Sequence, residues 1–151
     1  MRVVIQRVTK ASVTIEGQVK SSIGNGLLVL AGFESADNGE DLDWTANKIA
    51  QLRIFDDENG VMNRSVKEIE GEILIVSQFT LHAKTKKGNR PSYINAAPPD
   101  ISIPLYNRFV DTVSSLIGKE VQTGEFGAMM MVELINDGPV TIIIDSKNKD
   151  L

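Results

Sequence analysis

Polar side chains interrupt otherwise apolar stretches of this chain at two places. Ser77, Gln78 and Thr80, with Phe79 among them, end the run Ile73-Leu74-Ile75-Val76. Hydroxyls and an amide entering a core must find partners, so they either cap backbone groups, face a cleft or mark a strand fraying into solvent. The second place is Asn136-Asp137-Gly138-Pro139 with Thr141 just beyond it, which local chemistry alone reads as a hairpin turn between two strands. A third feature is charge: Lys84, Lys86, Lys87 and Arg90 fall within residues 84–90 of a chain whose net charge is −4. Composition favours a solvated loop for that run, and only a neighbouring anionic ligand would give it another role.

Most hydrolytic machinery is missing. The chain has no cysteine, which excludes disulfides, thiolate catalysis and cysteine-based zinc sites. Its one histidine, His82, excludes a paired-histidine metal site. There is no Gly-x-Ser-x-Gly elbow, no phosphate-cradling Gly-Lys-Ser/Thr loop and no dinucleotide glycine fingerprint. A triad could use only His82, two residues after Thr80. If the strand ran that far, the two would share a face about 7 Å apart, too far for a direct hydrogen bond. The acidic run Asp56-Asp57-Glu58-Asn59-Gly60 lacks calcium-loop spacing and reads as a turn. No metal and no cofactor is expected.

The elements that would position these groups follow from periodicity. At 151 residues, 42% hydrophobic and 24% charged, the chain reads as one soluble globular domain over 1–151. Residues 1–33 are expected as strands, with a tight hairpin at Glu16-Gly17 and a strand buried on both faces at Gly26–Phe33. Asp37-Asn38-Gly39 offers capping side chains for a helix over 39–53 with Leu42, Thr45, Ala46, Ile49 and Leu52 on its inner face. A second buried strand is expected from Glu72 to Leu81, then an ordered loop over 84–99. Asp100 would cap a helix to about Gly118 carrying Leu105, Phe109, Val113, Leu116 and Ile117, with Pro104 in its first turn. Strands return at 121–126, 129–135 and 140–145. The order gives a mixed α/β domain with largely antiparallel sheet and two helices covering one face. The charged start Met1-Arg2-Val3-Val4-Ile5-Gln6-Arg7 is unlike a signal peptide, and no apolar run approaches the ~18 residues of a membrane span, so a cytoplasmic location is expected.

Ser77-Gln78-Phe79-Thr80-Leu81 together with Asn136-Asp137-Gly138-Pro139-Val140-Thr141 resembles the motif pair of the D-aminoacyl-tRNA deacylases, also called D-tyrosyl-tRNA deacylases. The similarity extends to Arg2-x-Val-x-Gln-Arg-Val at residues 2–8, to Asn89-Arg90-Pro91-Ser92 and to Phe126-Gly127-Ala128-Met129-Met130, and so spans the chain. Tyr93 and His82 stand where relatives vary.

The resemblance implies a barrel-like layered deacylase fold and a homodimer in which a cis Gly138–Pro139 bond reaches across the interface into the partner's site. It implies that Gly138 and Pro139, with Asn136 and Thr141, exclude an L side chain, and Arg7 is nominated to brace them. The substrate would be D-aminoacyl-tRNA, with glycyl-tRNA passing the same filter. Amides near Phe79 and Thr80 would hold the oxyanion, and Gln78 and Ser77 would orient the substrate. The attacking group is either water or Thr80, with water favoured because no base stands near Thr80 in the sequence. Phe126 and Met129 would hold the terminal adenine, and Lys84, Lys86, Lys87 and Arg90 would meet acceptor-stem phosphates. The alternative from another class is a non-catalytic nucleic-acid-binding module using the loop 84–90.

Overall fold

The computed structural model describes all residues, 1–151. The chain runs β1 (Arg2–Ile15), β2 (Gln18–Ile23), β3 (Gly26–Gly32), α1 (Gly39–Gln51), β4 (Phe55–Asp56), β5 (Met62–Arg64), β6 (Glu72–Ser77), a short 3₁₀ turn (Phe79–His82), α2 (Pro99–Ile117), β7 (Gln122–Thr123) and β8 (Met131–Asp145). Six strands form one sheet in the order β2-β1-β3-β6-β7, with β8 on the other edge of β1. Pairing is antiparallel around β1 and parallel for β3–β6 and β6–β7. The fold is mixed α/β, with a barrel-like, nearly closed sheet and two helices on one face.

Two cores explain that shape. Val3 and Ile5 of β1, Leu27 and Val29 of β3, and Ile73 and Ile75 of β6 bury against Leu42, Ala46 and Ile49 of α1 and Phe109, Val113 and Ile117 of α2. On the opposite face Val8, Ala11, Val13, Leu28, Leu74 and Val76 form a smaller core, covered by Met130, Val132 and Leu134. β1 serves both cores because its pairing with β8 is interrupted on either side of Val8, so the phase of its buried residues changes there. The unbroken apolar runs of β3 and β6 follow from being covered on both faces.

α1 begins where its sequence predicts, with Asn38 as the cap, and Asp41, for which no role was expected, accepts a bond from the Asn38 N–H. α2 does not. Its N-cap is Pro98, with no side-chain cap, and Asp100 lies inside the first turn. Pro104 sits in the second turn, two residues deeper than expected, and Ser102 and Tyr106 join the buried stripe. Gly118, at φ 74°, ends the helix in the left-handed conformation that favours glycine.

The expected strands at the carboxyl end also change. Only Gln122–Thr123 is strand in the first segment, and 131–145 is one continuous strand where two strands and a hairpin turn were expected. Residues 137–140 are an excursion within β8: Gln6 pairs with Thr141 and Val8 with Asn136, so these four lie opposite Arg7 alone. No helix is long and apolar enough to cross a membrane.

Candidate active site

The parallel strands β3 and β6 end side by side, Ala31 beside Ser77. Crevices beyond the carboxyl ends of parallel strands are common ligand sites, because backbone groups emerge there without ladder partners. Here a cavity of about 350 Å³ opens at that point. Its walls come from the end of β3, from residues 76–79 of β6 and its following turn, and from the loop 126–130. Most of the lining is apolar, which suits a ring system held by few polar contacts.

The strand expected to reach Leu81 stops at Ser77, and Phe79–His82 coils into the 3₁₀ turn. The shared-face relation of Thr80 and His82 therefore does not exist. Gln78 N–H donates to the Ala31 carbonyl at 2.8 Å, pinning the start of the turn to β3. The turn's own bonds begin with Leu81 N–H to the Gln78 carbonyl and Ala83 N–H to the Thr80 carbonyl. The N–H groups of Phe79 and Thr80 donate to nothing in the chain, as the first donors of a helical turn must. Gln78 Nε2 donates to Thr80 Oγ1 at 2.5 Å. His82 is buried behind the turn, its Nδ1 3.4 Å from Glu34 Oε1, and its Nε2 meets no partner. It does not line the cavity.

Two residues without an expected role fix this turn. Arg2 donates from one terminal nitrogen to the Leu81 carbonyl at 2.9 Å, while its Nε holds Asp145 at 2.9 Å. Burial pushes the Asp145 carboxyl up, but the Lys147 N–H and Arg2 outweigh it and leave the group below its ordinary value. Gly32 leaves room beneath the turn: a Cβ there would stand 2.8 Å from the Gln78 carbonyl and 3.1 Å from both Leu81 and His82. The glycine bounding an apolar run was visible in the sequence. What packs on it was not.

The second motif is built by β1. Arg7 faces the helix side of the sheet, where its guanidinium donates to the Ile54 carbonyl at 2.7 Å and to the Asp137 carbonyl at 2.8 Å. The Asp56 and Asp137 carboxylates lie 3.7 and 3.5 Å away. Asn136 closes the excursion from its base, donating to the Val140 carbonyl and Thr141 Oγ1, both at 3.2 Å, and accepting from Val140 N–H at 2.7 Å. Asp137, Gly138 and Pro139 are exposed, and the Gly138–Pro139 peptide is cis. None of residues 136–141 lines the cavity, so one chain does not bring the two motifs together.

Phe126 and Met129 both line the cavity, Phe126 half-buried against Tyr106 and Met129 90% exposed. Tyr106 donates to the Ile75 carbonyl at 2.8 Å, and burial pushes its hydroxyl up to about 12. Lys84, Lys86, Lys87 and Arg90 are exposed, and none forms a salt bridge. No group of three or more His, Asp or Glu side chains is arranged to hold a metal ion.

Residues 4–145 match the family model described as D-Tyr-tRNA(Tyr) deacylase. The chain belongs to this family. Relatives named D-aminoacyl-tRNA deacylase include one from Bacteroides fragilis, 67% identical over 150 residues, covering 99% of this chain and all of the relative. Another, from Flavobacterium johnsoniae, is 61% identical with the same coverage. Among solved structures, one described as a c-Myc DNA unwinding element binding protein is 41% identical, with TM-score 0.92 over 96% of this chain and 98% of that one. A probable eukaryotic D-amino acid tRNA deacylase shares the fold at 22% identity, with TM-score 0.81 over 95% and 97% of the two chains. For a deacylase-family chain, the cavity at the turn and the braced excursion are the places to look for chemistry.

Proposed function

We propose that this chain hydrolyses the ester joining a D-amino acid to the terminal ribose of tRNA, releasing free amino acid and tRNA. The observation that carries the reading is the pair of adjacent free amides, Phe79 and Thr80 N–H, of which Phe79 lines the mostly apolar cavity and Thr80, the next residue, does not. An aminoacyl ester is already activated, so preorganised donors can supply much of the catalysis. One such donor is typically worth about 3–4 kcal/mol of barrier. Ser77 and Gln78 orient the ester, and Phe126 and Met129 hold the terminal adenine. Water is the attacking group: the Thr80 hydroxyl meets Gln78, and no carboxylate, imidazole or amine stands against it to remove its proton.

The excursion supplies chirality. Gly138 and Pro139, held by Asn136, Thr141 and Arg7, occupy the space an L side chain would need, while a D side chain points away. A filter that reads only the Cα configuration also passes glycyl-tRNA. Because the excursion stands apart from its own chain's cavity, it serves the cavity of a second copy, and the working unit is a homodimer. The cations at 84–90 meet acceptor-stem phosphates.

The second reading, a nucleic-acid-binding module without catalysis, has one observation in its favour, the DNA-binding description of the 41% identical relative. Release of labelled tyrosine from D-tyrosyl-tRNA and L-tyrosyl-tRNA, with chelator present, separates the two. Cleavage of the D ester alone supports the deacylase. Binding without release of either amino acid supports the module. Thr80→Ala retaining most of the D rate supports water, and loss of all turnover supports a covalent Thr80.

A further inference from the structure

The rings of an aromatic pair at the cavity's rim take no part in the proposed ester chemistry. Phe79 and Tyr93 meet edge to face, with ring centroids 5.0 Å apart and planes 75° apart. They remain 56% and 39% exposed. In that geometry neither ring lies flat on the other, so at least one flat face stays available. Scattered exposed aromatics need no explanation, but the position of this pair is specific. Phe79 is part of the cavity wall. Tyr93 follows a loop closed by reciprocal backbone bonds between Lys84 and Ser92, at 2.8 and 3.0 Å. The surface therefore runs from cavity to Phe79, to Tyr93, to four unpaired cations.

Charge along this path departs from the rest of the molecule. The chain carries 20 acidic residues, yet none occurs between Glu72 and Asp100. That span includes the 3₁₀ turn, the basic loop and Tyr93. A flat ring beside unpaired cations, with acids kept away, has the chemistry of a single-stranded polynucleotide site: bases stack on rings and phosphates meet ammonium and guanidinium groups.

We infer that Tyr93, supported edge-on by Phe79, is the stacking platform for the nucleotide that precedes the terminal adenosine. The inference rests on the reading that the cavity takes the aminoacylated 3′ end. It adds a direction: the 3′ end lies inside, and the strand leaves over Tyr93 with its 5′ side toward residues 84–90. Melting or splaying of the duplex is not required, because the bases next to an aminoacylated 3′ end are already single-stranded.

The test compares D-tyrosyl-adenosine, which ends at the cavity, with D-tyrosyl-tRNA, which continues past it. Tyr93→Ala is expected to raise KM for the tRNA ester about tenfold more than for the adenosine ester, the size of one lost stacking contact. Tyr93→Phe is expected to restore the tRNA value, because the ring and not the hydroxyl stacks. Equal changes on both substrates, or no change on the tRNA ester, overturn the platform. So does a Tyr93→Ala protein whose sedimentation shows loss of a dimer while the tRNA KM holds, which gives the ring to a second copy. If the wild-type protein cleaves neither ester, the deacylase reading has failed. The platform is then decided by the Kd for uncharged tRNA, weakened about tenfold by Tyr93→Ala if it exists and unchanged if it does not.

Discussion

The turn at 79–82 and the excursion at 137–140 are held by the same device and face opposite ways. Each is gripped through a backbone carbonyl by an arginine of β1: Arg2 takes Leu81, and Arg7 takes Asp137. Each arginine is met by an aspartate of β8, Asp145 for one and Asp137 for the other. The turn, however, packs into its own chain over Gly32 and opens on the cavity, whereas the excursion stands in solvent. One strand thus sets the distance between a region that opens on a cavity and a region that lines none of it. Under the proposed function, changes in the turn should alter the rate and changes in the excursion should alter the D/L ratio.

Mutations in the two regions should have separable effects. The largest effect is expected from Gly32→Ala, whose Cβ would meet the Gln78 carbonyl at 2.8 Å and displace the turn. The kcat for D-tyrosyl-tRNA should fall about a hundredfold, the scale of one lost oxyanion donor, with thermal melting checking that the fold survives. Gly138→Ala should act differently. Gly138 has φ +143°, and a Cβ would meet Val140 at 2.8 Å, so the excursion must shift. The ratio of D to L cleavage should fall about tenfold while the D rate changes far less. A D rate falling as steeply as for Gly32→Ala would erase the distinction between the regions.

Smaller changes probe the two arginines. Arg2→Lys keeps the charge but cannot reach Asp145 and the Leu81 carbonyl in the same forked geometry. It should lower kcat severalfold with the D/L ratio unchanged, and Arg7→Lys should do the reverse; parallel steady-state assays on both esters decide. A shared effect would mean that β1 transmits strain between the regions. The smallest effect concerns only the anchorage of the end of β8. Burial pushes the Asp41 carboxyl up, but hydrogen bonds from Lys147, Ser146 and the Asn38 N–H outweigh it and hold the group at about 2. A depressed carboxyl adds stability above its ordinary pKa and loses it as pH falls through the folded value. Against an ordinary value of 3.8 this is about 2 kcal/mol at neutral pH. Asp41→Asn should therefore melt earlier than wild type at pH 7, and the gap should close between about pH 4 and pH 2.

The sequence announced those parts whose cause is local. The Asn38 cap of α1, the Glu16-Gly17 hairpin, the buried run of β3 and the start of β6 follow from neighbouring residues and stand where the sequence places them. The turn was illegible because Phe79-Thr80-Leu81-His82 carries no glycine, proline or asparagine; Gly32 and Arg2, nearly fifty and eighty residues away in the chain, bend it. Asn136-Asp137-Gly138-Pro139 misled in the opposite sense. Its residues favour a turn, but β1 is long enough to pair both flanks, so the ladder resumes on the same partner beyond the interruption. Asp100 likewise looked like a cap that Pro98 and Pro99 made unnecessary. The polar residues of both stretches stand out in the sequence itself, their proposed roles follow only from the resemblance, and of the two arginines that grip them the sequence reading nominates Arg7 and not Arg2.

β8 carries a hazard that the excursion removes. It is 15 residues long and pairs only with β1, so its outer edge presents unsatisfied N–H and C=O groups to any passing strand. An uninterrupted edge of that length, with Met131, Ile135 and Ile143 exposed along it, would invite fibrous stacking of molecule on molecule. Residues 137–140 break it into two short halves, and Pro139 contributes no N–H at the break. The segment that holds Gly138 and Pro139 of the proposed filter thus also shortens the free edge, and straightening it by deletion would restore one long unpaired edge.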